Sequence, residues 1–190
     1  MALERTTKRQ AVEAAVMQAT EGLLEEGSSY ADLNVERIAT RAGIGRTAFY
    51  FYFRDKRELL MRLTGDVSDQ FYGEAERWFA GGDDELPAAL RQIGELFREH
   101  GALLRAVVEV STYDEEVARF WRELVGRFVE ATRVRIEAQG TTLPSEATAF
   151  ALVWMTERAF HQLTVQDEPV ARAELVEALT GIWQRTVYSP

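Results

Sequence analysis

Apolar residues recur at intervals of three and four along most of the chain, which is the spacing of one face of a helix. The stripe Val12, Val16, Ala19 and Leu23 predicts a first helix over residues 6–26, with Gly27 ending it. The chain has only four prolines, and no segment alternates apolar and polar residues as a half-buried strand would. The pattern therefore predicts an all-α fold of about nine helices.

Two short helices and a long one are predicted next. Asn34 is a suitable N-cap for a second helix, and the break at residues 43–45 separates it from a third helix over residues 46–52. Asp55 followed by Glu58 resembles a capping box that opens a fourth helix reaching about residue 79. Two short helices around such a break have the proportions of a helix-turn-helix, whose second helix enters the DNA major groove.

The second half of the chain continues the helical spacing. A linker at residues 81–84 precedes five further predicted helices, over residues 85–100, 102–110, 113–139, 145–165 and 170–187. We expect Thr112 and Glu115 to form a second capping box, and Pro144 and Pro169 to lie near the starts of the last two helices. The predicted domains are a DNA-binding domain over residues 1–54 and a larger helical domain over residues 55–190.

Charge and composition narrow the possible functions. The net charge of −9 is unusual for a DNA-binding protein, but residues 1–56 carry eight basic and eight acidic residues, and all the excess acidity lies beyond them. An acidic C-terminal part would repel nucleic acid and leave the neutral N-terminal part, the head, as the place where it can bind. The alternative is that the acidic surface only keeps the protein in solution. The lack of cysteine excludes disulfides and thiolate metal sites. With no apparent signal peptide or membrane span, we expect a cytoplasmic protein without membrane, metal or cofactor.

The predicted third helix is rich in aromatic residues, with five in succession at residues 49–53. Phe49 and Phe53, four residues apart, can face the core together with Ile38 and Ile44. Tyr50 then lies on another face, where its ring and hydroxyl can contact sugar and phosphate. Further candidate donors to DNA are Arg46, Thr47, Tyr52, Lys56, Arg37 and Arg41. The aromatic run could also serve only the core.

Residues 33–60, from Leu33-Asn34-Val35 through Phe49-Tyr50-Phe51-Tyr52-Phe53 to Leu60, resemble the TetR family, and the match spans roughly residues 8–64. The resemblance implies an all-α dimer that binds palindromic operators. It places DNA contacts at Thr47, Tyr50, Tyr52 and Lys56, with Arg46 as a candidate base reader. Gly45 departs from the family pattern, which often has Ser or Thr there, so a side-chain contact at that position is lost.

The larger domain holds all four tryptophans, Trp78, Trp121, Trp154 and Trp183. The seventh and eighth predicted helices each carry an apolar face with a few polar groups, which is typical of a ligand pocket but also of a plain core. The aromatic run, Glu157-Arg158 and the closing residues Ile182-Trp183 and Val187-Tyr188 resemble one group within the family. That resemblance implies an apolar channel lined by Ile93, Phe97, Trp121, Val125, Phe128, Thr132, Val153, Thr156, Glu157 and Trp183.

The chain departs from the pattern of this group at two channel positions. The group often has asparagine where Val153 and Thr156 stand, so we expect a more apolar ligand with at most one polar contact, from Thr156. An operator with two-fold symmetry needs two recognition helices about 34–36 Å apart, and hence a homodimer. The resemblance places its interface on the last two helices, where Phe160, Leu163, Leu175 and Leu179 are candidates, although these residues could also serve the core of one subunit.

The resulting hypothesis is a repressor that leaves a double-stranded DNA operator when a small apolar ligand binds. An activator or a regulator without ligand would share the same fold. An enzyme is a rival, because Glu157 and His161 lie four residues apart on one helix, but a polar pair on one helix face is the simpler interpretation. A helical module that binds another protein through its aromatic surface is the second rival.

Overall fold

The computed structural model describes residues 2–165 and 170–188, and over these residues the fold is all-α, as predicted. A short 3₁₀ helix at Asp83–Glu85 accompanies the α-helices. The helices are α1 (Ala2–Glu25), α2 (Val35–Arg41), α3 (Arg46–Phe49), α4 (Lys56–Phe79), α5 (Leu86–Glu99), α6 (Gly101–Ser111), α7 (Glu115–Gln139), α8 (Ser145–Val165) and α9 (Arg172–Val187). Among them, none combines the length and apolar composition that crossing a bilayer requires.

The N-terminal three helices pack around a small aromatic core. Phe49 and Phe53 are buried against Ile38, with their ring centroids 5.5 Å apart, as their spacing predicted. The Asn34 side chain caps α2 by accepting a hydrogen bond of 2.9 Å from the backbone N–H of Arg37. Gly43 follows α2 with a positive φ of 71°, a left-handed conformation that favours glycine. These features fix the angle between α2 and α3.

α4 has contacts in both the N-terminal and the C-terminal part of the chain. Its first turns carry Leu59, Leu60 and Leu63, which belong to the same continuous buried cluster as Phe49 and Phe53. Its last turn is anchored to α9, because Trp78 packs edge-on against Trp183 at 5.3 Å and donates a hydrogen bond of 2.8 Å to the Tyr188 hydroxyl. α4 therefore joins the N-terminal head to the C-terminal domain.

Two local predictions differ from the structure, and a third is untested. α3 ends at Phe49, and residues 50–52 form a turn in which the backbone N–H of Tyr52 donates to the Phe49 carbonyl. The capping box at Thr112 is wrong, because the Thr112 hydroxyl donates to the Glu109 carbonyl at the end of α6. Asp114 caps α7 instead. The prediction for Pro169 lies outside the described residues.

Candidate DNA interface and ligand channel

The side chains at the start of α3 and in the turn after it face solvent. Arg46 and Thr47 are exposed, while the Tyr50 and Phe51 side chains are 48% and 74% exposed. Sequence reasoning placed Tyr50 here but did not select Phe51. The signal was available, because a core face at positions 49 and 53 leaves position 51 on the opposite side of a helix. An exposed strip of this kind can enter a DNA groove.

The side chains predicted to contact DNA differ in whether they already have partners within the protein. Arg37 and Arg46 are exposed, and neither forms an ion pair within residues 8–165 and 170–188. Arg41 instead donates two hydrogen bonds to the Glu26 carboxylate, at 2.5 and 3.3 Å. Tyr52 is half-buried, with the Arg9 guanidinium 5.9 Å from its ring centroid. Contact with DNA stays a prediction for all four residues.

Lys56 is tied into the protein. Its ammonium donates to the backbone carbonyls of Tyr30, Ala31 and Leu33, at 2.9, 3.3 and 2.9 Å, and lies 4.6 Å from the Tyr30 ring centroid. In return the Tyr30 hydroxyl donates to the Lys56 carbonyl at 2.6 Å. Burial lowers the pKa of Lys56, and Asp32 opposes that shift. A contact between Lys56 and phosphate, which stays a prediction, would draw the ammonium from one of these carbonyls.

The N-terminus of α4 is also bound to α7. Asp55 caps α4 by accepting from the Glu58 N–H at 2.8 Å, while the Glu58 carboxylate accepts from the Arg54 N–H. Arg57 reaches across to the start of α7, 2.9 Å from the Glu116 carboxylate and 3.3 Å from that of Asp114. This cluster joins the first turn of α4 to the first turn of α7.

An apolar cavity of about 110 Å³ lies in the C-terminal domain, and α4, α5, α6, α7, α8 and α9 all contribute to its wall. We call it the channel. All ten residues predicted to line a channel do so: Ile93, Phe97, Trp121, Val125, Phe128, Thr132, Val153, Thr156, Glu157 and Trp183. That they contact a ligand remains a prediction.

Sequence reasoning missed the contribution of α4. This helix supplies seven lining residues: Thr64, Val67, Ser68, Phe71, Ala75, Trp78 and Phe79. Their spacing of three and four residues was visible as an apolar stripe, but a stripe shows only that a face is covered. The spacing says nothing of whether that face meets a packed core or an open cavity.

The hydroxyl of Thr156, the predicted polar contact for a ligand, already has partners. It donates to the Leu152 carbonyl at 2.8 Å and accepts from the Trp183 indole N–H at 2.8 Å. Three other lining side chains have buried polar atoms without a hydrogen bond in the described part of the chain: the Ser68 hydroxyl, the Thr132 hydroxyl and both carboxyl oxygens of Glu157. The polar capacity of the channel therefore lies with these three.

Glu157 is the one ionisable residue among the described lining residues. Burial raises the pKa of its carboxyl, and Arg158 opposes this shift from 3.8 Å. The His161 Nδ1 lies 4.0 Å from a carboxyl oxygen, and burial, with Arg158 and Arg105, lowers the pKa of this histidine. The described residues contain no cluster of side chains suited to a metal ion.

The predicted interface residues lie deeper than expected. Phe160 is fully buried, stacked on Phe97 at 5.4 Å, in space that Gly94 leaves open. Leu179 is also buried within the subunit. These two occupy the core, which was the alternative interpretation, while Leu163 and Leu175 are half-buried.

Comparison with known proteins agrees with this architecture. The family model described as bacterial regulatory proteins, tetR family, matches residues 16–63. The model described as transcriptional regulator EthR, C-terminal domain, matches residues 86–189. The chain is 31% identical over 191 residues to EthR of Mycolicibacterium smegmatis, covering 93% of this chain and 86% of that protein. It is 29% identical over 188 residues to EthR of Mycobacterium tuberculosis, with 93% and 87% covered.

Solved structures share the fold at low sequence identity. FadR of Bacillus subtilis, solved in complex with stearoyl-CoA, has a TM-score of 0.72 and 15% identity, with 93% of this chain and 98% of that chain covered. NalD, the secondary repressor of the MexAB-OprM multidrug efflux pump in Pseudomonas aeruginosa, has a TM-score of 0.71 and 18% identity, with 95% and 97% covered.

The fold and the family models together define a helix-turn-helix transcriptional regulator, and not an enzyme. The chain belongs to the TetR family, and its C-terminal domain is of the EthR type.

Proposed function

We propose that this regulator is a repressor that binds a palindromic double-stranded DNA operator as a homodimer and leaves it when a small apolar ligand enters the channel. The observation that carries the proposal is the course of α4. Its first residue, Lys56, holds the loop after α1, while residues 64–79 of the same helix line the channel. A ligand that moves this wall moves the head. Because transcription takes place where the DNA is, we place the protein in the cytoplasm.

The DNA contacts proposed are those of α3 and its flanks. Arg46 and Thr47 would reach base edges in the major groove, since they are exposed at the start of the recognition helix. Tyr50, with Phe51 beside it, would pack on the sugar–phosphate backbone. Arg37, at an exposed position of α2, would bind phosphate together with the remaining predicted donors Arg41, Tyr52 and Lys56.

The size of the channel supports a coupling between ligand and DNA. An engineered protein cavity of about 150 Å³ holds a single benzene molecule. The channel measures about 110 Å³, so a larger ligand must push its walls apart. Such a ligand prefers the widened state, and a ligand shifts an equilibrium only by its difference in affinity for the two states. In the widened state, α4 holds the two heads at a spacing that no longer fits successive major grooves.

The charge of the wall favours a ligand without an anionic group inside the channel. FadR of Bacillus subtilis was solved with stearoyl-CoA, whose phosphates are anionic. None of the described lining residues here is lysine or arginine. A buried anion without a countercharge is strongly disfavoured. We therefore propose a ligand with a mainly apolar body.

For the homodimer we propose an interface on α8 and α9 that uses exposed residues in place of Phe160 and Leu179. Phe150 and Ile182 are 57% and 40% exposed, and Trp154 is half-buried beside Phe150. We expect Ile182→Glu to shift sedimentation from dimer to monomer, while Val134→Glu, at an exposed position of α7, leaves the dimer intact. A dimer that persists in Ile182→Glu would contradict the use of α9.

The first test measures binding of the purified protein to a duplex from its own promoter region, with a scrambled duplex as control, across a salt series. We expect selective binding that weakens with salt, because each phosphate contact releases a counterion. Arg46→Ala should weaken promoter binding about 10- to 100-fold, the effect of one good base contact. Arg119→Ala, at an exposed position of α7, is the matched control. Equal binding to both duplexes, before and after refolding to remove ligand, would contradict the proposal.

A further inference from the structure

The side chain of Glu157 needs a partner that the described part of the chain does not provide. The residue is 7% exposed, and both its carboxyl oxygens are buried without a hydrogen bond. The Arg158 Nε lies 3.8 Å away, beyond hydrogen-bond distance, on a side chain that is itself half exposed. A buried carboxyl without hydrogen bonds lowers the stability of the fold. Its position in the wall of a cavity therefore indicates that a group on a ligand binds it.

The neighbouring groups cannot fill this role. The His161 Nδ1 is 4.0 Å from the carboxyl and has no hydrogen bond of its own. The pKa of His161 is lowered by burial and by Arg158 and Arg105, which favours a neutral imidazole. Thr156, the next residue along the channel, has its hydroxyl engaged with Leu152 and Trp183. Both carboxyl oxygens of Glu157 therefore stay available as acceptors.

The rest of the wall is suited to a cation. Aromatic rings line the channel on several helices, among them Trp78, Trp121 and Trp183. The faces of aromatic rings attract organic cations, and such contacts strengthen when the cation is shielded from water. A protonated amine beside Glu157 would meet a carboxylate, and its alkyl body would lie along the apolar wall. No described lining residue carries a positive charge, and the nearby Arg158 guanidinium, 3.8 Å from the carboxyl, lies outside the lining on a half-exposed side chain.

We propose that the ligand is a lipophilic amine, with an ammonium group bound to the Glu157 carboxylate and an apolar body that fills the rest of the channel. This inference rests on the proposed function, since it names the chemistry of the ligand that the same channel receives. An ammonium donates up to three hydrogen bonds, so it can satisfy both carboxyl oxygens at once. It also supplies the countercharge that keeps a buried carboxylate ionised.

The test compares molecules of equal length and different head group. Isothermal titration calorimetry at pH 7.5 would measure the binding of n-octylamine, n-octanol, octanoate and N-octylacetamide to the protein. We expect n-octylamine to bind at least tenfold more tightly than n-octanol, with octanoate weakest. In Glu157→Gln the preference for the amine should fall to about twofold or less, with n-octanol affinity unchanged. Glu146→Gln, which alters an exposed carboxylate on α8, should retain the preference.

Each other outcome overturns the inference in a distinguishable way. If n-octylamine binds no better than n-octanol, the channel accepts apolar ligands but the amine is wrong, and the proposed function stands. If N-octylacetamide binds best and keeps its advantage in Glu157→Gln, the side chain at residue 157 acts as a neutral hydrogen-bonding group and the amine is again wrong. If none of the four probes binds while promoter binding persists, both the amine and the ligand-responsive part of the proposed function fail. The comparison of probes on the unaltered protein does not depend on how any variant folds.

Discussion

The DNA-binding head and the channel differ in how their buried polar groups are satisfied. In the head, the Lys56 ammonium has three carbonyl partners, and the Tyr30 hydroxyl and the Asn34 side chain are each hydrogen-bonded. In the channel wall, Ser68, Thr132 and Glu157 hold buried polar atoms that lack partners in the described residues. A region whose buried polar groups all have hydrogen-bond partners is held in one conformation. Polar groups without partners beside a cavity can instead form hydrogen bonds with a ligand.

The difference should appear most strongly when an aromatic ring is removed from each region. Phe49→Ala should lower the free energy of unfolding by about 3–5 kcal/mol, because its ring is fully buried in a packed core. Phe128→Ala should cost about 1–2 kcal/mol, since Phe128 is half-buried and already faces a cavity. Urea unfolding followed by circular dichroism measures both. Equal losses would mean that the channel is packed as tightly as the head.

A smaller effect is expected from Lys56. Lys56→Met keeps the apolar stem of the side chain but removes the ammonium that holds the loop between α1 and α2. Hydrogen bonds from a charged group contribute about 1.5–3 kcal/mol, so we expect a loss of about 2 kcal/mol in the free energy of unfolding. Lys8→Met, at an exposed position of α1, should cost less than about 0.5 kcal/mol. No loss in Lys56→Met would show that the head does not depend on this anchor.

In the channel, removal of the Glu157 carboxyl charge should raise the free energy of unfolding. The pKa of Glu157 is raised by burial, with Arg158 opposing, so the folded state retains a proton above the ordinary carboxyl range. The stability that this proton confers is present at acidic pH and is lost as pH rises through the folded pKa. Glu157→Gln should therefore be more stable than the natural protein at pH 7.5, by about 1 kcal/mol.

The pH series provides the control for this prediction. The gain from Glu157→Gln should shrink on going to pH 4.5, where the carboxyl is protonated in both folded and unfolded states to a greater extent. His161 is present in both proteins, so its own titration cancels in the difference. Glu146→Gln should show little gain at either pH because its carboxyl is exposed. A gain independent of pH would rule out ionisation as the cause.

The smallest effect on stability is expected at Arg57, which links the head to α7. The same change should have a larger effect on the response of DNA binding to ligand. Arg57 joins the start of α4 to Glu116 of α7 and to its N-cap Asp114, and because all three side chains are partly exposed, Arg57→Ala should change the free energy of unfolding little. It should reduce several-fold the change in promoter affinity that a bound ligand causes. Arg127→Ala is the matched control, because Arg127 pairs with Asp69 between the same two helices, away from the head. An unchanged ligand response in Arg57→Ala would exclude this link as the route.

Local pattern was sufficient for the order of the helices and for most of their bounds, although it extended α3 past Phe49 and placed the cap of α7 at Thr112 in place of Asp114. The period of three and four residues, Asn34 and Asp55 as caps, and glycine at residue 43 specify elements through contacts within a few residues. The aromatic faces of α7 and α8 could also be predicted, because each is a property of one helix. Resemblance to the family then placed the ten channel positions, all of which line the cavity.

Tertiary structure decided what each face meets. Only packing shows that Phe160 stacks inward on Phe97, that the Thr156 hydroxyl is taken by Leu152 and Trp183, and that α4 walls the channel. The physical reason is that periodicity identifies an apolar face from residues close in sequence, whereas its partner lies on another helix, up to 110 residues away for Trp78 and Tyr188. Cavities, unsatisfied carboxyls and shared hydroxyls arise between helices, and so they follow from the assembled fold alone.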